Sequence, residues 1–244
     1  MLTGELKRAK ESIYSPTWIL MYKLKWAQLA DIIALKNLKI LDFGSGFGLT
    51  ANYLAKDNEV VAIEPREDCI EERIRENNYT QIQGKLEKLK DFKDESFDVI
   101  ICHNVLEFAA ENDERSVIVK EFSRLLNNGG ILSIIKNNGA GRIMSKVIPE
   151  YKIDDAMDLL EGGHMSNVFG RVDLYNPEDL VKWGGNLRIE KILGVRTFYG
   201  LQHDDIKHEP DWIDKMFIIE MKVADMEPYK SISLFHHVLL KKYR

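Results

Sequence analysis

An acid at Asp42, the glycine series Gly44-x-Gly46-x-Gly48 and a second acid at Glu64 are the residues whose types and spacing could do chemistry together. In the run Leu41-Asp42-Phe43-Gly44-Ser45-Gly46-Phe47-Gly48, glycines at alternate positions let the backbone turn sharply and lie against a ligand where a Cβ would clash. The amides opening the following helix can then approach a polar group. Glu64, followed by Pro65 and lying about 20 residues beyond the turn, is placed to accept from both hydroxyls of a ribose.

Three readings of this turn stand side by side: a glycine loop without a ligand, a dinucleotide site, and a site for S-adenosylmethionine (SAM). A dinucleotide turn separates its last two glycines by two residues, which seats the pyrophosphate on the helix N-terminus. Here one residue, Phe47, separates Gly46 from Gly48. Asp42 would repel a pyrophosphate and attract the methionine ammonium of SAM, directly or through water. SAM is the preferred ligand.

The elements that must hold these residues follow from periodicity. Ile19, Tyr22, Trp26, Leu29 and Ile33 recur at three and four, which predicts an amphipathic N-terminal helix over 17–36. Strands are expected at 38–43, 59–63, 79–83, 97–102 and 130–135, with helices at 49–56, 67–76 and 113–126 between them. Gly129 and Gly130 suit a left-handed cap on the last of these helices. Near-continuously apolar strands alternating with helices predict an α/β fold around a parallel sheet. After Lys136 the alternation fails, and 137–175 reads as a cap or substrate segment with short helices near 143–147 and 154–160. A helix from Asn176, a strand over 187–198, a helix over 211–222 and a final strand over 231–241 complete a single domain, 1–244.

Composition narrows the class. At 244 residues with 45% hydrophobic and 30% charged residues the chain can bury a full core. A formal charge of −5 means that any nucleic-acid contact must use a local patch. There is no run of roughly 20 apolar residues and no apolar signal core after Met1-Leu2-Thr3, so a cytoplasmic protein without membrane contact is expected. Cys69 and Cys102 show no metal-ligand spacing and read as buried reduced thiols; no metal is expected.

His103 leaves the carboxyl end of the fourth strand, the edge where ligands bind in open α/β sheets, and is a candidate catalytic residue with a polar core role as the alternative. Glu107 reads as a general base or, more blandly, as a carboxylate at a helix start. Trp18, Tyr22 and Trp26 could stack on a base but at helical spacing read as core. Lys136, Arg142 and Lys146 could collect phosphate or line a solvated loop.

These residues resemble the class I SAM-dependent methyltransferases, whose signature is a hydrophobic-Asp-hydrophobic-Gly-x-Gly-x-Gly turn followed by an acid ending the next strand. The resemblance spans Leu38 to Ile135 and implies a Rossmann-like, seven-stranded, mostly parallel sheet flanked by helices, with a cap after strand five. It implies that Leu86 and Glu87, within Gly84-Lys85-Leu86-Glu87, lie against the adenine. Phe97 to Glu107 is similar to the strand and exit where substrate meets the methyl group, and Asn127-Asn128-Gly129-Gly130 fits the approach to strand five.

Within that family, His103-Asn104-Val105-Leu106-Glu107-Phe108, the segment Leu132 to Asn138, Gly194-Val195-Arg196 and Glu227-Pro228-Tyr229 resemble the tRNA 5-carboxymethoxyuridine methyltransferases. The resemblance implies a tRNA anticodon loop as partner and esterification of a carboxylate on its wobble uridine. A carboxylate is already nucleophilic at neutral pH, so such a transfer needs alignment and desolvation more than a base. Arg196 could hold that carboxylate by a bidentate pair, or be a surface arginine at a strand end. The subgroup carries an arginine on the N-terminal helix where this chain has Met21; Lys23 or Lys25 could replace it if the helix is rotated. A small-molecule carboxylic acid, another tRNA base, and a non-catalytic SAM-binding regulatory protein are the other readings.

Overall fold

A computed structural model describes residues 4–109, 112–167 and 169–244. The opening Met1-Leu2-Thr3, read above for a signal core, lies outside the described residues. Helix α1 (Gly4–Ser12) and helix α2 (Pro16–Ala30) precede β1 (Lys39–Phe43), α3 (Leu49–Leu54), β2 (Glu59–Glu64), α4 (Glu67–Glu71), β3 (Thr80–Gln83) and β4 (Phe97–His103). They are followed by α5 (Asn112–Leu125), β5 (Leu126–Asn137), α6 (Gly139–Val147), α7 (Ile153–Leu160), β6 (Met165–Asn167), β7 (Gly170–Val172) and α8 (Pro177–Gly184). Strand β8 (Leu187–Val195), α9 (Trp212–Val223), α10 (Tyr229–Ile232) and β9 (Phe235–Lys242) close the chain.

The seven-stranded sheet runs β3-β2-β1-β4-β5-β9-β8. Strands β1 to β5 pair in parallel, and β9 is inserted antiparallel between β5 and β8. This is the expected Rossmann-like, mostly parallel α/β sheet. Strand order reverses between β1 and β4, and the carboxyl ends at such a switch point form the ligand crevice of open α/β sheets. Asp42 and His103 belong to the two strands that flank it.

Both faces are covered, which explains why the central strands carry apolar runs rather than alternation. On one face Phe122 and Leu125 of α5 and Leu180 of α8 pack on Leu41, Ile100, Leu132 and Leu240. On the other, Leu20, Met21 and Leu24 of α2 meet Trp212 and Met216 of α9 with Ile135, Val195 and Phe235. Burying each such side chain contributes about 1.5–3 kcal/mol.

Several elements are shorter than their periodicity predicts, each for a local reason. The helix expected over 67–76 stops at Glu71, because the Ile74 amide donates to the Phe47 carbonyl at 2.9 Å and draws the chain back to the glycine turn. Helix α2 ends at Ala30, and Ile32, Ile33 and Leu35 pack beneath it as irregular chain. The final strand begins at Phe235 rather than Ser231, since the Ser231 amide and hydroxyl both donate to the Glu227 carboxylate and close a helical turn. Gly129 is left-handed as anticipated, but it lies within β5, beside a register shift against β4, and not on a free helix cap. The segment after β5 contains α6, α7 and the β6–β7 hairpin.

Candidate functional site

The chemistry gathers on the sheet face that α2 covers. In parallel pairing, residues in register share a face, and Asp42 is level with Ile101, two residues before His103. His103 is level with Ile135, which pairs with His237 across the β5–β9 ladder. Asp42, His103, Ser133 and His237 therefore project from one face.

The glycine turn divides its work between packing and opening. A Cβ on Gly48 (φ +73°) would sit 2.2 Å from the Tyr79 hydroxyl, so this glycine allows β3 to close on the turn. A Cβ on Gly46 (φ +54°) would meet nothing within 4 Å, so its Cα side faces open space. The Gly44 and Ser45 amides donate to the Ile63 carbonyl at 2.8 and 3.1 Å, tying the turn to β2. Phe47 points away from that opening, packed with Leu6, Ile13 and Cys69, and joins the turn through its backbone. The Ser45 hydroxyl is sealed in without a hydrogen-bond partner.

Glu64 shapes the turn as well as ending β2. Its Oε2 accepts from the Gly46 amide at 2.8 Å and its Oε1 from the Arg66 amide at 3.0 Å. Each oxygen keeps lone-pair capacity for a ribose hydroxyl. Burial raises its pKa above the ordinary value, opposed by these two amides. Pro65 is exposed at the strand end, and its carbonyl accepts from Gln83. Leu86 is half-buried against the core beyond β3, while exposed Glu87 accepts from the Lys85 amide at 2.9 Å, closing its own turn.

Asp42 is 3% exposed and its Oδ2 has no hydrogen-bond partner. Burial pushes its carboxyl up to about 7, opposed by the charge of Lys25. Lys25, itself buried, is lowered to about 7 by desolvation and supported by Asp42. Its ammonium lies 4.0 Å from the centre of the Tyr22 ring. Lys25 thus lies on the side of α2 that faces Asp42, whereas Met21 is fully buried and Lys23 reaches outward to Asp214 at 3.2 Å. Trp26 is committed internally, stacked 3.7 Å from the Tyr53 ring.

His103 ends a chain of polar side chains. Its Nε2 lies 2.8 Å from Ser133 Oγ, which lies 2.7 Å from His237 Nε2, and His237 Nδ1 lies 2.8 Å from Gln28 Oε1. His103 Nδ1 is buried with no partner. Burial pushes both imidazoles down, His237 to about 3. Glu107 fixes the end of β5 through its Oε1, which accepts from the Asn137 amide and side chain at 2.6 and 3.0 Å, while its Oε2 is buried without a partner.

Arg196 follows β8 in a left-handed conformation (φ +65°), which ends the strand expected to reach Phe198. The amides of Thr197, Phe198 and Tyr199 turn to the Glu220 carboxylate of α9 at 2.9, 2.8 and 3.3 Å. Arg196 Nε is buried without a partner and its guanidinium stands 5.6 Å from the Tyr199 ring centre. Arg142, from α6, donates to Asn137 Oδ1 at 2.5 Å and stacks on Phe235. Its pKa is lowered to about 10, first by burial and then by the charge of Arg196. Lys136 turns into its own strand end, donating to the Asn137 carbonyl at 2.7 Å, and Lys146 pairs with Glu150 and Asp155.

Ser133, His237 and Gln28 were not singled out from sequence. The signal was present as a serine and a histidine inside otherwise apolar strands, but their shared partner is visible only after folding.

A family model described as a methyltransferase domain matches residues 41–134, the stretch that contains the glycine turn, Glu64 and His103. Residues 41–134 thus match a methyltransferase domain, within a chain that has the Rossmann-like methyltransferase fold. A SAM-dependent methyltransferase from Methanosarcina mazei superposes with a TM-score of 0.60 at 15% identity, over 88% of this chain and 97% of that one. An S-adenosylmethionine dependent methyltransferase from Mesorhizobium loti gives 0.55 at 15% identity, over 90% and 98%. The methyltransferase partner in a Haloferax volcanii complex with the Trm112 methyltransferase activator gives 0.63 at 12% identity, over 98% and 95%. No curated protein sequence matches the chain. Among the described residues no helix is long and apolar enough to cross a membrane, and no His, Cys, Asp and Glu side chains gather as a metal site.

The site's residues fit SAM. An unpartnered carboxylate oxygen on Asp42 suits the ammonium, the open side of Gly46 admits a ligand against the backbone, and Glu64 retains acceptors for a ribose. Lys25 places a cation beside Asp42 that would suit the methionine carboxylate.

Proposed function

We propose that this methyltransferase acts on an acceptor bearing a carboxylate, held at the carboxyl edge of the sheet by Arg196 and Arg142. The observation that carries this reading is the pairing of two partly buried guanidinium groups whose charges oppose one another, one with an unpartnered Nε. Two such cations are brought together at a cost that a bound anion relieves, and a carboxylate meets the guanidinium fork in bidentate geometry. Bound SAM supplies an electrophilic methyl on its sulfonium. The chain's own residues orient the acceptor, exclude water and hold the cofactor through Asp42, Glu64 and Lys25; His103 borders the path between the two.

The resemblance of His103 to Phe108 and of Gly194 to Arg196 to the tRNA 5-carboxymethoxyuridine methyltransferases names one such acceptor, the wobble uridine carboxylate. A second reading, a small carboxylic acid, is favoured by the segment after β5. There Lys146, Lys152 and Arg171 are engaged with Glu150, Asp155 and Asp173, which leaves few cations for a phosphate backbone. Incubation with methyl-labelled SAM and, in parallel, total tRNA and a panel of carboxylic acids separates these. Base-labile label on tRNA supports the wobble reading, and base-labile label on acids alone supports the second. Label on neither, with SAM bound, would refute a carboxylate acceptor and favour a SAM-binding regulatory protein.

A further inference from the structure

The side chains behind His103 leave one consistent arrangement of protons. Gln28 Nε2 donates to the Gly194 carbonyl at 3.0 Å; a flipped amide would set oxygen against oxygen. Gln28 Oε1 therefore faces His237 and can only accept, which places the His237 proton on Nδ1. A buried neutral imidazole has one ring proton, so His237 Nε2 accepts, and the Ser133 hydroxyl must donate to it. That spends the only proton Ser133 has. Toward His103 its oxygen can only accept, so the His103 proton lies on Nε2 and its Nδ1 carries a bare lone pair, buried and unpartnered at the end of β4.

We propose that Gln28, His237 and Ser133 are positioning residues that hold His103 as a hydrogen-bond acceptor toward the methyl acceptor. The group His103 meets is then an N–H or O–H on that molecule. Resting on the carboxylate reading above, this makes the acceptor a carboxylate compound with a hydrogen-bond donor beside the reacting oxygen. A site built to receive a donor discriminates strongly against an analogue that lacks it, because the buried acceptor is left unpaired. The charged groups near this imidazole are Lys25 and, two residues back on the adjoining strand, Asp42; His237 faces it edge-on at 5.6 Å between ring centres.

The test begins with the tautomers, which nitrogen-detected NMR of histidine-labelled full-length protein reads directly with S-adenosylhomocysteine present. His103 is expected with its proton on Nε2 and His237 with its proton on Nδ1. Ser133→Ala leaves His103 without its partner and is expected to mix its tautomers while homocysteine-adduct affinity stays within twofold, about 0.4 kcal/mol by RT ln K. A His103 proton on Nδ1 in the wild type would overturn the inference, whatever the substrate. The second arm titrates paired acids, each hydroxy or N–H acid beside its O- or N-methylated analogue, and follows the His103 Nδ1 resonance. The donor-bearing member is expected to bind about tenfold tighter and to move that resonance. Ser133→Ala, or Gln28→Ala should the first variant fail to fold, is expected to erase the preference. Equal binding of both members would overturn the donor requirement. If none of the acids binds, while the His103 proton is found on Nε2, the carboxylate reading fails and the relay stands.

Discussion

Replacing Gly48 with alanine places a methyl 2.2 Å from the Tyr79 hydroxyl and 3.2 Å from its Cζ, in a backbone held at φ +73°. A left-handed non-glycine residue costs about 1–2 kcal/mol. The tyrosine must also move, losing a hydrogen bond of 2.6 Å to the Ile74 carbonyl that is worth about 0.5–1.5 kcal/mol. Gly48→Ala is therefore expected to destabilise by about 2–3 kcal/mol. Gly46→Ala carries the left-handed cost alone, about 1 kcal/mol, since its methyl meets open space. With the cofactor proposed to lie against the turn in that space, S-adenosylhomocysteine affinity is expected to fall at least about tenfold, 1.4 kcal/mol. Urea midpoints at constant slope report the first quantity and calorimetric titration the second. Tyr79→Phe removes the clashing atom, so the Gly48→Ala/Tyr79→Phe double variant should be about 1 kcal/mol less destabilised than the separate effects predict. Strict additivity would refute the packing role given to Gly48. A Gly46→Ala protein that binds the ligand normally would refute the ligand-facing role given to Gly46.

Asp42, raised by burial from its ordinary 3.8 to about 7, keeps a proton in the folded chain that the unfolded chain has released, so stability should fall as pH rises through that window. Lys25, lowered to about 7, gives the opposite slope above it; Asp42→Asn should flatten the acid limb of a urea-midpoint profile and, by removing the charge that supports Lys25, start the rising limb at lower pH. Glu220→Ala strips the acceptor from three amides, two of them buried, and should cost about 2–4 kcal/mol in urea denaturation, with a raised KM for the acceptor as the Arg196 loop loosens. Arg196→Lys keeps the charge but loses the fork, and kcat/KM on a carboxylate acceptor should drop by about 1.5–3 kcal/mol, on the order of tenfold to a hundredfold, with cofactor affinity unchanged. An unaltered kcat/KM would remove Arg196 from the acceptor site.

The parallel sheet was legible because strands buried on both faces, such as Phe97 to Cys102 and Gly130 to Ile135, need uninterrupted apolar runs. The turn around Gly46 was legible because close backbone approach restricts residue type at fixed spacing. Less was legible where tertiary contacts decided the outcome. The charged run after Glu71 is helical by pattern, but the Phe47 carbonyl claims the Ile74 amide. Likewise the strand toward Phe198 continues by propensity until Glu220 draws three amides away. Gln28, Ser133 and His237 come from three distant segments, and nothing in the sequence near any one of them names the other two. Arg142 was visible as a loose cation, but its proximity to Arg196 depends on how α6 leaves β5.

On the proposed reading, helix α2 joins the cofactor half of the site to the acceptor half, with Lys25 beside Asp42 and Gln28 one turn further on against His237. Lys25→Met tests whether the first of these contacts is electrostatic. Methionine keeps the buried stem and removes the charge that opposes the upward shift of Asp42, so the carboxyl should rise beyond about 7. The methionine ammonium of S-adenosylhomocysteine prefers the ionised carboxylate, so affinity should climb with pH through the Asp42 titration in both proteins. The midpoint of that climb should lie higher in the variant. Calorimetric titrations from pH 6 to pH 9 read this directly, at roughly 1.4 kcal/mol of affinity per pH unit below the midpoint. A midpoint that stays where it was would mean that Lys25 does not sense Asp42, and that the lysine serves only to cover the Tyr22 ring.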